Sequence, residues 1–349
     1  MDIHISTIVA SYVNNTYGAI TTSSPIYPFI EYYELSYRII GTIIMSIIFA
    51  VGFIGNIMVV IVVLRSKSMH SSTNCYLVSL AVADLLLLLS ATLPTIIEFH
   101  LIVDEFAAGT SACSIMVFVQ YLGFNLSSLS ITALTAERYI AICKPMKAQF
   151  ICSVGRAKKI IAALWLFGLC YSAPWLGLSH TRAKTNSHLE ECTFRLERKY
   201  YLVYYLTDLV VMYLIPVLAN IILYALISRS LYRSNPISAA FNVKSRFISK
   251  SSSTNSSHFG YGATLQSRMQ VIIKMLVIVV GLFAVLWLPY RLYVVYNSFL
   301  EKRLEDIWLM LICRTMVHAN SAINPILYNA MSIKFKRAFK KLCSCQNKR

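Results

Sequence analysis

Seven long apolar segments follow one another along the chain and are separated by shorter polar stretches. They cover residues 38–65, 74–100, 110–143, 156–178, 201–232, 268–298 and 305–330. A helix needs about 20 apolar residues to cross the hydrocarbon core of a bilayer, and each segment is long enough. The pattern predicts an all-α membrane protein, a seven-transmembrane helix bundle. An odd number of spans places the two termini on opposite sides of the membrane.

The polar stretches define the rest of the organisation. Residues 1–37 form a polar and aromatic N-terminal segment, 38–330 form the bundle, and 331–349 form a short tail. Residues 234–267, between the fifth and sixth segments, are rich in Ser, Asn and Gly, which is typical of a flexible loop. No internal repeat is visible, which argues against the transporters that are built from two related halves.

Composition agrees with a protein surrounded by lipid. Hydrophobic residues make up 57% of the chain and charged residues 13%, whereas soluble domains carry about 25% charged residues. The net charge of +17 does not indicate a nucleic-acid partner, because the basic residues lie in short loops between apolar spans. About two thirds of the 32 basic residues fall on one side of the bundle. The positive-inside rule then predicts an extracellular N-terminus and a cytoplasmic C-terminus in the cell membrane.

Three kinds of covalent modification are expected. Asn14 lies in the one sequon that this topology leaves accessible. The tail repeats Phe335, Phe339 and Leu342 at helical spacing among Lys and Arg, which predicts an amphipathic helix on the inner membrane surface, followed by palmitoylation sites at Cys343 and Cys345. Cys113 and Cys192 both fall outside the cell, where a disulfide can form. That bridge would hold the loop after the fourth span over the mouth of the bundle.

Ionisable residues inside the spans are costly, so each one suggests a function. Asp84, Arg138, Asp208, Arg291 and Arg314 stand out. A buried Asp84 must be protonated, paired or bound to a cation. Polar side chains at similar depth allow either a sodium site or a polar network around a protonated carboxyl; they are Ser127, Asn320, Ser321 and Asn324. No other metal or cofactor is expected.

Two spans carry proline breaks next to large aromatic residues. Pro289 follows Trp287, and Pro325 precedes Tyr328. Each proline removes a backbone hydrogen bond and allows a kink. Arg138 lies at the inner end of the third span, where it can pair with Glu137 and later release it; the alternative is an arginine that simply reaches the interface.

Taken together, these motifs resemble the rhodopsin-like G-protein-coupled receptors. The motifs are Gly55-Asn56, LAVAD at 80–84, Cys113, Glu137-Arg138-Tyr139, Trp165, Pro216 with Tyr224, Trp287-Leu288-Pro289 and Asn324-Pro325-Ile326-Leu327-Tyr328. Each lies in the expected span. Local matches such as TNCYLVSLAVADL and NSAINP are similar to the thyrotropin-releasing hormone receptors. His318 and the loop 179–199 depart from that family's pattern.

The resemblance implies a receptor for a small, amidated peptide that activates a G protein of the Gq family and releases calcium. The implied ligand-binding residues are Gln120, Tyr121, Asn125, Tyr290, Asn297 and Arg314. The implied activation switch comprises Glu137, Arg138, Tyr139, Tyr224, Trp287, Pro289, Pro325 and Tyr328. Tyr121 and Asn125 are four residues apart and share one helix face, and Arg314 offers five donors. The alternatives are simple packing for the tyrosines, and for Arg314 a salt bridge to a loop residue such as Glu190 or Glu191.

Other functions remain open but have less support. A receptor for a different short peptide or for a lipid fits the same architecture. An amine receptor would need a carboxylate near Gln120, and a retinal receptor would need a lysine within 305–330; both are missing. An ion-coupled transporter is a distant alternative. No catalytic residue set occurs at matching depths, so we expect no enzyme activity.

Overall fold

The computed structural model describes residues 32–103, 105–183, 190–230, 256–300, 302, 304–331 and 335–339. Seven long helices form its bundle, and we number them as spans 1 to 7. They are Leu35–Arg65, Ser72–Glu98, Gly109–Cys143, Val154–Leu178, Lys199–Ser230, Ser256–Phe299 and Ile307–Met331. The first six are long and apolar enough to cross a membrane by themselves. Span 7 is also long enough, but it carries His318, Asn320 and Asn324, which lie inside the bundle.

The bundle has its apolar side chains outside and many polar ones inside. Ile43, Ile47 and Ile54 on span 1 are mostly exposed, whereas Asn56 and Asp84 are fully buried. In water this arrangement would be unfavourable, but lipid solvates the apolar surface. The buried polar groups instead contact one another between spans. The polar interior is therefore where function is to be sought.

A side chain from span 3 compensates for the proline break in span 5. Pro216 has no N–H to donate to the carbonyl of Met212, four residues earlier. The helix widens into a π turn at Val210–Leu214, as helices often do where the regular ladder is interrupted. The Ser128 hydroxyl donates to the Met212 carbonyl at 2.6 Å. The carbonyl left without its backbone donor is thereby satisfied.

A side chain from span 1 compensates in the same way for the proline in span 7. Pro325 leaves the carbonyl of Ser321 without its helical donor. The Asn56 side chain donates its Nδ2 to that carbonyl at 3.0 Å and to the Gly52 carbonyl at 2.8 Å. The helices can approach this closely because Gly55 has no side chain: a Cβ there would lie 2.8 Å from the Pro325 Cβ.

A β-hairpin covers one end of the bundle. Strand β1 (Ser179–Ala183) pairs antiparallel with strand β2 (Glu190–Phe194). The Cys113–Cys192 disulfide joins β2 to the start of span 3, as predicted. The Ser114 hydroxyl also donates to the Ser179 carbonyl at 2.7 Å. The hairpin is therefore fixed over the entrance, which we call the Cys113 end.

Two parts of the predicted organisation differ from the structure or fall outside it. The helix of span 6 begins at Ser256, within the stretch 234–267 that composition predicts as a loop, because the helix continues beyond its apolar part. In the tail, residues 335–339 are helical; Phe335 is buried beside Tyr328, and Lys336 and Arg337 are exposed. Asn14, Cys343 and Cys345 lie outside the described residues, so their modification stays a prediction.

Candidate functional site

An aromatic cluster lies beneath the hairpin. Trp175 is stacked between Tyr121, with ring centroids 4.2 Å apart, and Tyr201, with centroids 5.8 Å apart. The Trp175 indole donates to the Tyr204 hydroxyl at 2.9 Å. Phe194 of β2 packs on the same indole at 5.4 Å. These rings connect spans 3, 4 and 5 with the hairpin at the Cys113 end of the bundle.

A small cavity lies below this cluster, among spans 3, 5 and 6. Its lining residues are Tyr121, Phe124, Tyr205, Asp208, Tyr290, Arg291, Val294 and Val295. Its volume is about 10 Å³, which is room for roughly one water molecule. Two of the predicted ligand-binding residues, Tyr121 and Tyr290, therefore face one shared space. In this conformation that space is too small for a peptide.

A buried ion pair forms part of the cavity wall. Arg291 of span 6 pairs with Asp208 of span 5, and only 8% and 3% of their side chains are exposed. The Arg291 guanidinium also lies 5.4 Å from the centroid of the Trp287 indole. Composition marks both residues as unusual inside a span, but no pattern in the sequence pairs them. Sequence reasoning therefore missed this part of the site.

Arg314 lies at the same end and is paired with a residue that we did not expect. Its Nη1 donates to Oε2 of Glu98, at the end of span 2, at 2.9 Å. The Tyr33 hydroxyl donates to the other oxygen of Glu98 at 3.2 Å. The loop residues Glu190 and Glu191, which the sequence suggested as partners, form no ion pair within the described part of the chain. The pair is possible because spans 2 and 7 are neighbours.

Three other predicted ligand residues lie outside the cavity wall. Asn125 is fully buried; its Nδ2 reaches the Ser172 hydroxyl at 3.4 Å, and its Oδ1 has no partner. Asn297 accepts a hydrogen bond from the Leu304 backbone at 2.8 Å, which fixes the connection to span 7. Gln120 is half-buried. The structure thus brings Tyr121 and Tyr290 together and gives Asn297 a structural contact.

Deeper in the bundle, Asp84 accepts three hydrogen bonds. Ser127 and Ser321 donate to its Oδ1 at 2.8 and 3.0 Å, and Asn324 donates to Oδ2 at 2.9 Å. Asn320 is buried nearby in sequence, but its Nδ2 has no partner. Among the described residues no group of three His, Cys, Asp or Glu side chains could hold a metal ion. The ligands available at Asp84 are one carboxylate and several neutral oxygens.

At the opposite end, the predicted pairing of Glu137 with Arg138 is absent. No ion pair joins them, and Glu137 Oε1 and Arg138 Nε have no hydrogen-bond partner, although the Glu137 carboxylate lies within electrostatic reach of the Arg138 guanidinium. Burial raises the pKa of the Cys152 thiol, in the connection between spans 3 and 4, and the carboxylate of Glu137 acts in the same direction. Tyr224 shares a hydrogen bond of 3.3 Å with Thr135.

The remaining predicted switch residues lie in the interior or at its inner edge. Trp287 is fully buried, packs edge-on against Phe124 at 4.9 Å, and its indole N–H has no partner. Tyr328 is also buried, and its hydroxyl has no partner. The Lys144 ammonium lies 5.6 Å from the ring centroid of Tyr139. Pro289 and Pro325 lie inside the helices of spans 6 and 7.

Comparison with known proteins agrees with this architecture. Residues 55–328 match the model of the "7 transmembrane receptor (rhodopsin family)". The chain is 45% identical over 323 residues to the thyrotropin-releasing hormone receptor of Mus musculus, covering 90% of this chain and 81% of that protein. For the Gallus gallus receptor of the same name the identity is 43%, with 91% and 82% covered. The growth hormone secretagogue receptor type 1 of Mustela putorius furo is 32% identical, with 84% and 78% covered.

The family model covers residues 55–328, which include every span that lines the cavity. The matches also confirm the resemblance derived from the motifs, and the family is one of receptors rather than of enzymes. The chain is therefore a multi-pass membrane protein that belongs to the rhodopsin family of seven-transmembrane receptors and, within it, to the thyrotropin-releasing hormone receptors.

Proposed function

We propose that this receptor binds a short, amidated peptide of the thyrotropin-releasing hormone type at the Cys113 end and activates a Gq-family G protein at the opposite end. The observation that carries the proposal is the shared cavity of Tyr121 and Tyr290 beneath the aromatic cluster. Its phenols and the Arg291–Asp208 pair provide hydrogen-bonding groups for peptide carbonyls and amides. The relatives bind the hormone that their names print.

The orientation of the bundle is part of this proposal. The Cys113 end faces outward and the tail faces the cytoplasm. The disulfide supports this orientation, because disulfides persist in oxidising compartments. The start of span 1 lies at that same end, since the Arg38 Nε donates to the Phe99 carbonyl at 2.9 Å. The excess of basic residues at the opposite end supports the same orientation.

The small volume of the cavity sets a requirement for the mechanism. A peptide can contact Tyr121 and Tyr290 together only if this cavity widens, and separation of the stack of Tyr121 on Trp175 is one way to widen it. The peptide then contacts Tyr290 of span 6, which lies three residues, about one helical turn, after Trp287. Its binding energy therefore depends on the position of span 6. A ligand shifts the equilibrium only as far as it binds the active state more tightly. An outward movement of span 6 would give a G protein access to the half-buried Arg138.

A calcium assay tests the proposal directly. Cells that express the receptor are exposed to thyrotropin-releasing hormone and to a panel of other short amidated peptides, and the response is repeated with a Gq inhibitor. Arg314→Ala should lower peptide potency by about tenfold or more while surface expression holds, since a charge-assisted contact contributes about 1.5–3 kcal/mol. Arg182→Ala, an exposed change in β1, is the matched control. A response to a lipid but to no peptide would contradict the proposal.

A second proposal concerns Asp84. We propose that its carboxylate, together with the Ser127 and Ser321 hydroxyls, holds a sodium ion, because hard cations prefer oxygen ligands. The three hydroxyl and amide groups that now bond to Asp84 support this. Sodium should then lower agonist affinity in the wild-type receptor and have no effect in Asp84→Asn. An equal sodium effect in both would contradict this.

A further inference from the structure

We infer that Glu98 is a specificity-determining residue that makes this receptor reject peptides with a free carboxylate and accept those whose ends are uncharged. This inference rests on the proposed peptide-receptor function and names the residue that selects the chemical class of ligand. It is carried by the ion pair between Glu98 and Arg314 and by the matching pair of Asp208 with Arg291 in the cavity wall.

An unpaired arginine at a binding site would favour a ligand with a carboxylate. The guanidinium fork matches a carboxylate in shape and charge. In this receptor, Arg314 already donates its Nη1 to Glu98 at 2.9 Å. The charge that a ligand meets at this position is therefore close to zero.

Glu98 is held in place by a second donor, so the pair is an organised feature of the site. The Tyr33 hydroxyl donates to Oε1 at 3.2 Å, while Arg314 takes Oε2. The side chains of Arg314 and Glu98 are 29% and 32% exposed. Both groups are thus reachable from the opening of the bundle, although they are too enclosed for water to screen them completely.

The second arginine of the site is neutralised in the same way. Arg291 lines the cavity with Asp208 as its partner. The guanidinium of Arg314 lies within electrostatic reach of Tyr290, which lines that cavity. Arg291 and Arg314 are therefore each paired with a carboxylate from a neighbouring span. A carboxylate on the ligand would have to displace Glu98 or lie beside its like charge, which is unfavourable.

A carboxamide avoids this conflict. A guanidinium has five N–H donors, so Arg314 can keep its bond to Glu98 and still donate to a neutral carbonyl of the ligand. The carboxamide nitrogen, in turn, can donate to Glu98, which a carboxylate cannot do. The same pair therefore binds an amide and repels an acid.

The experiment compares amide and acid forms of one peptide. Calcium responses to thyrotropin-releasing hormone, a short amidated peptide, and to the same peptide as the free acid give a potency ratio for each receptor variant. If the hormone is inactive, an active peptide from the panel of short amidated peptides takes its place and is compared with its own free acid. Because the ratio is taken within one variant, differences in surface expression cancel.

In Glu98→Gln the preference for the amide should fall by at least about tenfold, mainly because the acid gains potency at the unpaired Arg314. Glu98→Asp, which keeps the charge, should retain the preference, and so should Glu190→Gln, which removes an exposed carboxylate of β2. Glu98→Ala gives the same readout if Glu98→Gln does not reach the surface. An unchanged ratio in a responsive Glu98→Gln or Glu98→Ala receptor overturns the inference, because a purely structural pair would weaken both peptides equally.

The two proposals fail in different ways. A wild-type receptor that responds to no amidated peptide contradicts the proposed function, and the inference falls with it. A wild-type receptor that responds to the amide and equally well to the acid contradicts only the role of Glu98.

Discussion

The Asp208–Arg291 pair should be one of the most costly single contacts to break. Both side chains are almost fully buried, and Asp208 Oδ1 and Arg291 Nε have no further partner. Asp208→Asn therefore leaves an uncompensated guanidinium, and Arg291→Gln leaves an uncompensated carboxylate. Removing one member of a buried pair costs about 3–5 kcal/mol. The double variant Asp208→Asn/Arg291→Gln removes both charges, so it should cost far less than the sum of the single changes.

This double-mutant cycle can be measured by equilibrium unfolding of the purified receptor in mixed detergent micelles. The coupling free energy should be on the order of 3 kcal/mol. The matched control is the exposed pair of Lys199 and Glu197, whose side chains are 63% and 70% exposed. Glu197→Gln should leave the stability unchanged within error, because water screens such pairs. Additive effects of Asp208→Asn and Arg291→Gln would refute the reasoning.

Two further predictions concern packing and titration. Gly55→Ala places a methyl group 2.8 Å from the rigid Pro325 ring and should lower the free energy of unfolding by about 1–3 kcal/mol. The control Gly155→Ala has nothing within 4 Å of the added methyl group and should be neutral or slightly stabilising. Equal stabilities of the two variants would contradict the close approach of spans 1 and 7. The raised pKa of Cys152 keeps its thiol protonated to higher pH. The rate of Cys152 alkylation, measured by mass spectrometry from neutral to alkaline pH, should therefore increase at a higher pH than for an ordinary thiol. Glu137→Gln should shift that profile to lower pH, and identical profiles would remove Glu137 as a cause.

The architecture could be predicted from the sequence because lipid imposes simple rules. Span length, proline positions and the Cys113–Cys192 bridge follow from composition and local motifs, and the boundaries of the first five spans differ from the prediction by only a few residues. Span 6 is the exception. Its helix continues through Ser- and Gly-containing sequence from Ser256, where composition alone indicates a loop.

The candidate site was harder to predict, because its contacts join distant parts of the chain. Glu98 and Arg314 are 216 residues apart, and no local pattern indicates that spans 2 and 7 bring them together. The same holds for Asp208 and Arg291. In the predicted set around Asp84, Ser127, Ser321 and Asn324 donate hydrogen bonds to its carboxylate, whereas the Asn320 amide nitrogen has no partner. Glu137 and Arg138 form no ion pair in this conformation, although the Glu137 carboxylate lies within electrostatic reach of the Arg138 guanidinium, so their predicted role stays a prediction.

The bond from Asn56 to the Ser321 carbonyl has a consequence for biosynthesis. Its two residues lie 265 positions apart, one in the first helix to leave the ribosome and one in the last. Until span 7 has been inserted, the Asn56 amide lacks this acceptor within the hydrocarbon core, where an unpaired polar group is costly. The newly made bundle can therefore reach its final packing only after span 7 has been inserted. Chains that stop short of the seventh helix should be retained and degraded.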